Sequence, residues 1–352
     1  MITEATREPT IRLRRQPSDY LLPLFATILV GLLFVWLIVN LVKAPADFMT
    51  IFFIGLTNGA VYALVALGYT LVYGILQLIN FAHGDVFALS GLFASTWIVS
   101  IFNLDERSAT LAIVGGLFAT FLIAMVFGAL INSTIEFVAY RRLRAAPRLA
   151  VLITAVGMSF IIQNIGLAVY GVSFRSGSDL VPHTNVFEVF GVSYQWHKLM
   201  VLLVTIPVLA GLTWFVGATR QGKAMRATSQ DMEAAAVMGI NVNRTISITF
   251  ALAGALAAVA GLLYMVQFNV RYDTGFELGL IAFTAAVLGG IGNLPGAVLG
   301  ALVIGFIQAF NEGLVWHAPG SDWTRSIVFG ILIAILVFRP EGLLGERTPE
   351  GA

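Results

Sequence analysis

The segment Asn80-Phe81-Ala82-His83-Gly84-Asp85 places, inside an apolar stretch, side chains able to hold a cation, exchange a proton or hydrogen-bond a polar solute. Asp85 is the acidic residue set furthest inside such a stretch, and ionisable groups at bilayer depth are costly enough to be kept for a pathway or a partner. Asn80 and Gly84 can break a helix and free backbone groups to meet something polar. His83 can titrate near neutrality or simply donate to a carbonyl that the break frees. One His and one Asp are too few ligands for a metal site. No nucleophile, base and orienting group can be assembled from the intramembrane residues, so neither catalytic residues nor a cofactor are expected. The hexapeptide reads as pathway lining, with Asn80, Phe81, His83, Gly84 and Asp85 as its candidates.

A second interruption occurs in the other half of the chain, Gly289-Gly290-Ile291-Gly292-Asn293-Leu294-Pro295-Gly296, which cannot continue as a regular helix. Paired Gly/Pro interruptions in corresponding positions point to a pathway built from half-helices and suggest a two-half pseudo-symmetry. Gly289, Gly290, Gly292, Asn293 and Pro295 join the candidates on that ground, although close helix packing uses the same residue types. Small-residue pairs elsewhere, Gly254 with Ala258, Ala257 with Gly261 and Gly296 with Gly300, have the spacing of helix contacts, read as intramolecular in most cases with a subunit interface as the alternative for some.

The third signal is the polar loop 219–245. Thr228 and Asp231 have capping-box spacing, and Ala-rich sequence follows to Gly239, a helix stop. This predicts a helix of about ten residues, near 15 Å long, exposing Met232, Ala235, Ala236 and Met238. Such a small apolar face suits a groove on another protein; a linker helix lying on headgroups is the plainer alternative. The chain holds no Gly-x4-Gly-Lys-Ser/Thr phosphate loop, since its Gly222-Lys223 pair is followed by Ala224. If transport is driven by ATP, the motor is another polypeptide.

These residues sit in a chain of 352 residues that is 58% hydrophobic and 11% charged, with a mean hydropathy of +0.89. Soluble domains carry roughly a quarter charged residues, so most of this exterior must face lipid. The fold class is an all-α polytopic membrane protein. A net charge of +1 offers no basis for binding nucleic acid, and the absence of cysteine excludes disulfides and thiolate metal sites. A crossing needs about 20 apolar residues. Spans are expected near 20–42, 48–73, 77–102, 109–132, 149–172, 197–218, 246–268, 277–292, 294–316 and 324–339, about ten in all, with the third and eighth broken. The first run is preceded by Arg7, Arg12, Arg14 and Arg15 and could imitate a secretory signal, but it is long enough to be a retained helix. Most of the 20 Lys and Arg fall in one alternate set of loops, including Arg141, Arg142, Arg144, Arg148, Arg220, Lys223 and Arg226. By the positive-inside rule that set is cytoplasmic, as are both termini. The organisation is a tail at 1–19, a transmembrane domain at 20–339 and a tail at 340–352.

Four stretches, in order, resemble the membrane permeases of ATP-binding-cassette importers for branched-chain amino acids. They run from Asn58 to Gly91 around NFAHGD, from Glu233 to Arg244 (EAAAVMGINVNR), from Phe283 to Gly305 (FTAAVLGGIGNLPGAVLGALVIG) and from Arg339 to Gly345 (RPEGLLG). The resemblance implies a multi-pass protein of a bacterial or archaeal cytoplasmic membrane that works by alternating access. Implied partners are a second homologous permease, two ATP-binding subunits and an extracytoplasmic substrate-binding protein. It also implies that Asp231, Glu233, Ala234, Ala235, Gly239, Ile240 and Asn241 form the loop that docks into the ATPase. Urea and short-amide permeases belong to the same branch. An ion-coupled carrier using Asp85 is the alternative outside it.

Overall fold

Long apolar runs fold as helices here because, in lipid, each backbone N–H and C=O must be satisfied within its own segment. The computed structural model describes residues 18–345 except 106, 145, 178, 179, 182, 183, 190 and 340. The expected tail with Arg7, Arg12, Arg14 and Arg15, and the C-terminal residues from 346 on, lie outside the described residues. The helices are α1 (Ser18–Lys43), α2 (Pro45–Leu76), α3 (Ala82–Ser95), α4 (Thr110–Ile135), α5 (Arg141–Leu143), α6 (Arg148–Tyr170), α7 (Trp196–Ala218), α8 (Arg220–Gln230), α9 (Met232–Val237), α10 (Val242–Gln267), α11 (Thr274–Gly289), α12 (Leu294–Gly313) and α13 (Ser321–Phe338). Eight of the described helical stretches are long and apolar enough to cross a membrane; α11 and the segment Val30–Lys43 of α1 are shorter apolar helices. The ten expected spans map onto these helices, so the count is sound in outline and approximate in detail.

Two helices continue through a wider π-helical turn: α3 through Thr96–Ile101, and α4 through Glu136–Tyr140 into α5. The fourth span was expected to stop near 132, yet the helical path runs on to Leu143. It continues because Glu136, at the end of the apolar run, is 1% exposed and neutralised by ion pairs with Arg141 and Arg144.

The helices α2, α3 and α10 form the buried centre, while α4, α6, α7 and α13 present broad apolar faces outward. Glycines set the close crossings. A Cβ at Gly254 of α10 would strike the Gly128 carbonyl of α4, and one at Gly261 would strike the Phe87 carbonyl of α3. A Cβ at Gly59 of α2 would meet Leu302 Cα of α12 at 2.8 Å, and Gly296 and Gly300 of α12 pack on Gly289 and Ala285 of α11. The small-residue pairs therefore serve intramolecular packing, as their spacing suggested.

At one end of the bundle an antiparallel hairpin, β1 (Asn185–Val189) and β2 (Val192–Gln195), pairs Val189 with Val192 and covers the start of α2. There Tyr194 shares a 2.7 Å hydrogen bond with Thr57. At the opposite end lie α8 and α9.

Candidate functional site

The third span was expected to be interrupted by the hexapeptide, but its helix runs unbroken from Ala82 to Ile101, and the break lies at 77–81, between α2 and α3. Helix α2 ends with Gln77 in the left-handed region (φ 53°), the chain runs without helix through Phe81, and α3 begins at Ala82. It begins deep. The His83 ring lies against Gly68, about two turns before the end of α2, or roughly 12 Å along its axis. Gly84 is not the breaker that its type suggested. It belongs to the first turn of α3, where a Cβ would meet the Gly275 carbonyl oxygen of α11 and, at 2.7 Å, Gly279 Cα.

The backbone freed by the break is satisfied by a buried network. Asn80 Nδ2 donates to Asn132 Oδ1 of α4 (3.1 Å), and Asn132 Nδ2 donates to the Phe250 carbonyl of α10 (2.7 Å). The Tyr140 hydroxyl reaches the Ile79 carbonyl and Asn80 Oδ1 at 3.2 Å each. Asn80, Asn132 and Tyr140 are all at most 1% exposed. Asn80 thus ties the non-helical segment to α4 and α10, which is the arrangement that irregular backbone at bilayer depth requires.

His83 and Asp85 point to different neighbours. His83 is fully buried, its ring edge-on to Tyr69 with centroids 4.8 Å apart. Its nitrogens lie near the Val65 carbonyl without an aligned hydrogen bond. Asp85 faces α6: Ser159 Oγ donates to Oδ2 at 2.5 Å and Gln163 Nε2 to Oδ1 at 3.0 Å. Phe81 stacks obliquely on Phe283 of α11, centroids 6.0 Å apart. Asp85 is in the first turn of α3, where the helix N–H groups also favour an anion.

The second interruption is a turn between α11 and α12 at the α8–α9 end. Gly290 (φ 105°) and Gly292 (φ 97°) occupy backbone conformations that other L-residues rarely take. Asn293 caps α12 by accepting from Gly296 N at 2.9 Å, with Pro295 in the first turn. The C-terminal segment locks onto it: Leu343 N and Leu344 N donate to the Leu288 and Gly289 carbonyls (2.8 and 3.0 Å), and Asn293 Nδ2 donates to the Leu344 carbonyl (2.8 Å).

The polar loop holds two helices rather than one. Thr228 is not a cap but a buried residue of α8; the cap is Asp231, whose carboxylate accepts from Glu233 N (2.8 Å) and Ala234 N (2.9 Å) and so ends α8 and starts α9. After Val237, Gly239 N bonds to the Ala236 carbonyl and Ile240 N to the Ala235 carbonyl, both at 3.0 Å, with Gly239 at φ 83°. This is the pairing of a Schellman stop. Asn241 then caps α10, accepting from Arg244 N at 3.0 Å. Ala235 was expected on the outer face but is buried; Val237 and Met238 form that face, at 87% and 81% exposed, beside exposed Glu233, Ala234 and Ala236. Behind them, a cleft of about 150 Å³ separates Met225, Arg226 and Ser229 of α8 from Thr70 and Gly74 of α2 and from Gly292.

Sequence reasoning missed three side chains. Ser159 and Gln163 are polar residues within an apolar run, and their i, i+4 spacing on one helix face was the available signal. Glu136 was placed outside its span, yet it accepts from Ser247 Oγ of α10 at 2.8 Å as well as pairing with two arginines.

The family described as branched-chain amino acid transport system / permease component matches residues 51–337. The high-affinity branched-chain amino acid transport system permease protein BraD of Pseudomonas aeruginosa is 40% identical over 300 residues, covering 84% of this chain and 95% of that one. LivH of Escherichia coli, of the same description, is 36% identical over 313 residues, covering 86% and 97%. A probable branched-chain amino acid transport permease protein of Methanocaldococcus jannaschii is 26% identical over 298 residues, covering 80% and 88%. With a family match over most of its length and relatives spanned nearly end to end, the chain belongs to the permease components of branched-chain amino acid transport systems.

Proposed function

We propose that this chain is one of two permease subunits of an ATP-driven importer for branched-chain amino acids, seated in a bacterial or archaeal cytoplasmic membrane with both termini inside. Its partners are a second, homologous permease, two ATP-binding subunits and an extracytoplasmic substrate-binding protein. The relatives supply the substrate class. The observation that carries the reading is the α8–α9 pair: a rigidly capped helix that turns Val237 and Met238 to solvent on a chain lacking a phosphate loop. Exposed apolar side chains held this firmly suit a groove on a partner, and that partner is the ATPase. Asp231, Glu233, Ala234, Ala235, Gly239, Ile240 and Asn241 form the docking element and its stops.

The pathway passes the break before α3 and the first turn of that helix, with Asn80, Phe81, His83, Gly84 and Asp85 shaping it. Gly289, Gly290, Gly292, Asn293 and Pro295 form the hinge at its inner end. A leucine-like solute is apolar at one end and zwitterionic at the other. A lining of apolar side chains with a few fixed dipoles at helix ends fits it. Movement of α9 reaches this region through α8, whose buried Met225 lies across the cleft from α2 and the Gly292 turn.

Met238→Glu tests the reading, because Met238 makes few contacts within the chain and its substitution leaves folding intact. In proteoliposomes holding the whole complex, coupled uptake and solute-stimulated ATP hydrolysis are expected to fall together, at unchanged permease level. Full uptake with the charge in place would refute the docking role.

A further inference from the structure

Helix α6 carries polar capacity that neither its own backbone nor the rest of the chain uses. Exposed hydroxyls on α4 and α7, Thr134 and Thr213, each return their hydrogen to a carbonyl one turn back at 2.8 Å. They are thereby neutral towards lipid. Asn164 of α6 is different. It is exposed, and its Nδ2 spends one hydrogen on the Phe160 carbonyl (2.8 Å), leaving the other N–H and the whole of Oδ1 without a partner among the described residues. Gln163 beside it is partly exposed; its Nε2 serves Asp85 and Ser159, while Oε1 has no partner there. Asn164 lies about 9 Å along the axis from the end of α6, well within a crossing helix.

An unspent carboxamide facing hydrocarbon costs of order 2 kcal/mol or more. Its surroundings therefore have to be polar. Two further observations say what they are. Gln163 joins the exposed edge to Asp85, which is 1% exposed, so a continuous polar strip runs from the interior of α3 to the outside of α6. On the Asn164 face, Gly157, Phe160, Ile161 and Asn164 follow at i, i+3, i+4 and i+7, and a Cβ on Gly157 would meet nothing within 4 Å. Gly157, about two turns before Asn164, thus leaves one bare point for close approach on a face that otherwise carries the exposed Phe160 and Ile161.

We infer that the Gln163–Asn164 edge of α6 is the solute-facing wall of the seam with the second permease, its carboxamides meeting the ammonium and carboxylate of an amino acid. Amide oxygens accept from an ammonium and amide N–H groups donate to a carboxylate, so two neighbouring carboxamides complement a zwitterion without fixing it by charge. Weak, uncharged recognition suits a solute that must leave again. This inference rests on the proposed function for the identity of its solute and partner.

The chain contains no cysteine, so with partner subunits made cysteine-free a single introduced thiol reports cleanly. Asn164→Cys is compared with Leu203→Cys on α7, a 59% exposed position at similar depth, in the complete complex in proteoliposomes treated with a charged, water-soluble methanethiosulfonate. Only a hydrated thiol can ionise and react, so Asn164→Cys is expected to react at least about tenfold faster than Leu203→Cys. Asn164→Leu is expected to lower the maximal leucine uptake rate about tenfold, the loss of roughly one hydrogen bond's worth of stabilisation, with Asn164→Gln restoring it. Equal, slow reaction at both thiols would place Asn164 against lipid and overturn the inference; so would wild-type uptake by Asn164→Leu. Thiol reactivity reads the surroundings of α6 whatever the solute. Failure of the unmodified complex to import any branched-chain amino acid would instead strike the proposed function.

Discussion

Replacing Gly68 by alanine tests whether His83 is held by packing. An added Cβ would lie on Nε2 and Cε1 of the His83 imidazole, with the Ala253 carbonyl oxygen behind it at 3.4 Å. The ring cannot withdraw easily, being fully buried and edge-on to Tyr69. Overpacking of this kind costs about 1–3 kcal/mol, and Gly→Ala within a helix returns at most about 1 kcal/mol of propensity. The net change is therefore a loss. His83→Ala alone opens a cavity and is destabilising for the opposite reason. Together, however, the new methyl occupies part of the space that the ring vacates, so the double substitution is expected to cost less than the sum of the two, by about 0.5–3 kcal/mol. The assay is thermal unfolding of the purified permease in one detergent, with leucine uptake of the complex measured in parallel. Additive losses would refute the contact. If the double variant regains stability and also transports, His83 acts as a shaped insert between α2 and α3. If it regains stability and remains inactive, the imidazole has a chemical duty that packing does not replace.

Other perturbations follow from the same geometry. Asp85→Ala removes the acceptor of Ser159 and Gln163 and is expected to reduce uptake far more than Asp105→Ala, whose carboxylate serves only the exposed turn with Ser108; equal uptake by both would remove the reason for singling out Asp85. Asn80→Leu leaves Asn132 and Tyr140 short of a partner, and at about 1–3 kcal/mol per orphaned buried group it is expected to lower the unfolding temperature, whereas an unchanged melt would show the break to be held otherwise. Glu136→Gln keeps the side chain's shape while leaving Arg144, 18% exposed, without its anion; a stability loss that high salt does not reproduce in the parent is expected by limited proteolysis. Glu233→Lys, at an exposed position of the docking element, is expected to uncouple ATP hydrolysis from the permease at normal membrane levels.

The parts of this protein legible in its sequence are those set by local chemistry. Apolar run length gives the helices, because a chain in lipid has few other ways to satisfy its backbone. The break near Asn80 is legible because a carboxamide and several polar residues interrupt an apolar run. The turn at Gly290 and Gly292 is legible because left-handed backbone favours glycine. What was not legible depends on distant partners. Ser159 and Gln163 gain meaning only when α6 packs on α3 and brings them to Asp85, 74 and 78 residues away. Glu136 falls outside its span by hydropathy alone, and only the arginines beyond it and Ser247 across the bundle make it a buried residue. Capping-box spacing points to Thr228, with Asp231 as the acid three residues on; instead Thr228 lies on the buried side of α8 and Asp231 is itself the cap.

The placement of the two interruptions also constrains how motion can travel. The α11–α12 turn is tied to the C-terminal segment by three hydrogen bonds, and it meets α2 where a Cβ on Gly74 would lie 3.7 Å from Gly292 Cα. The start of α3 meets the same helix at Gly68. Helix α2 therefore touches both irregular segments, and across the cleft it faces α8. At Gly74 the contact is backbone on backbone, so α2 can slide there without repacking large side chains, whereas at Gly68 the buried His83 ring couples it to the start of α3. On the proposed function, a push on α9 would reach the hexapeptide through α8 and α2. Filling the cleft should then block transport without touching either end: Gly74→Leu is expected to leave ATPase docking and permease stability near their parent values while arresting uptake. Uptake at the parent rate, with the cleft filled, would mean that α2 is not the route.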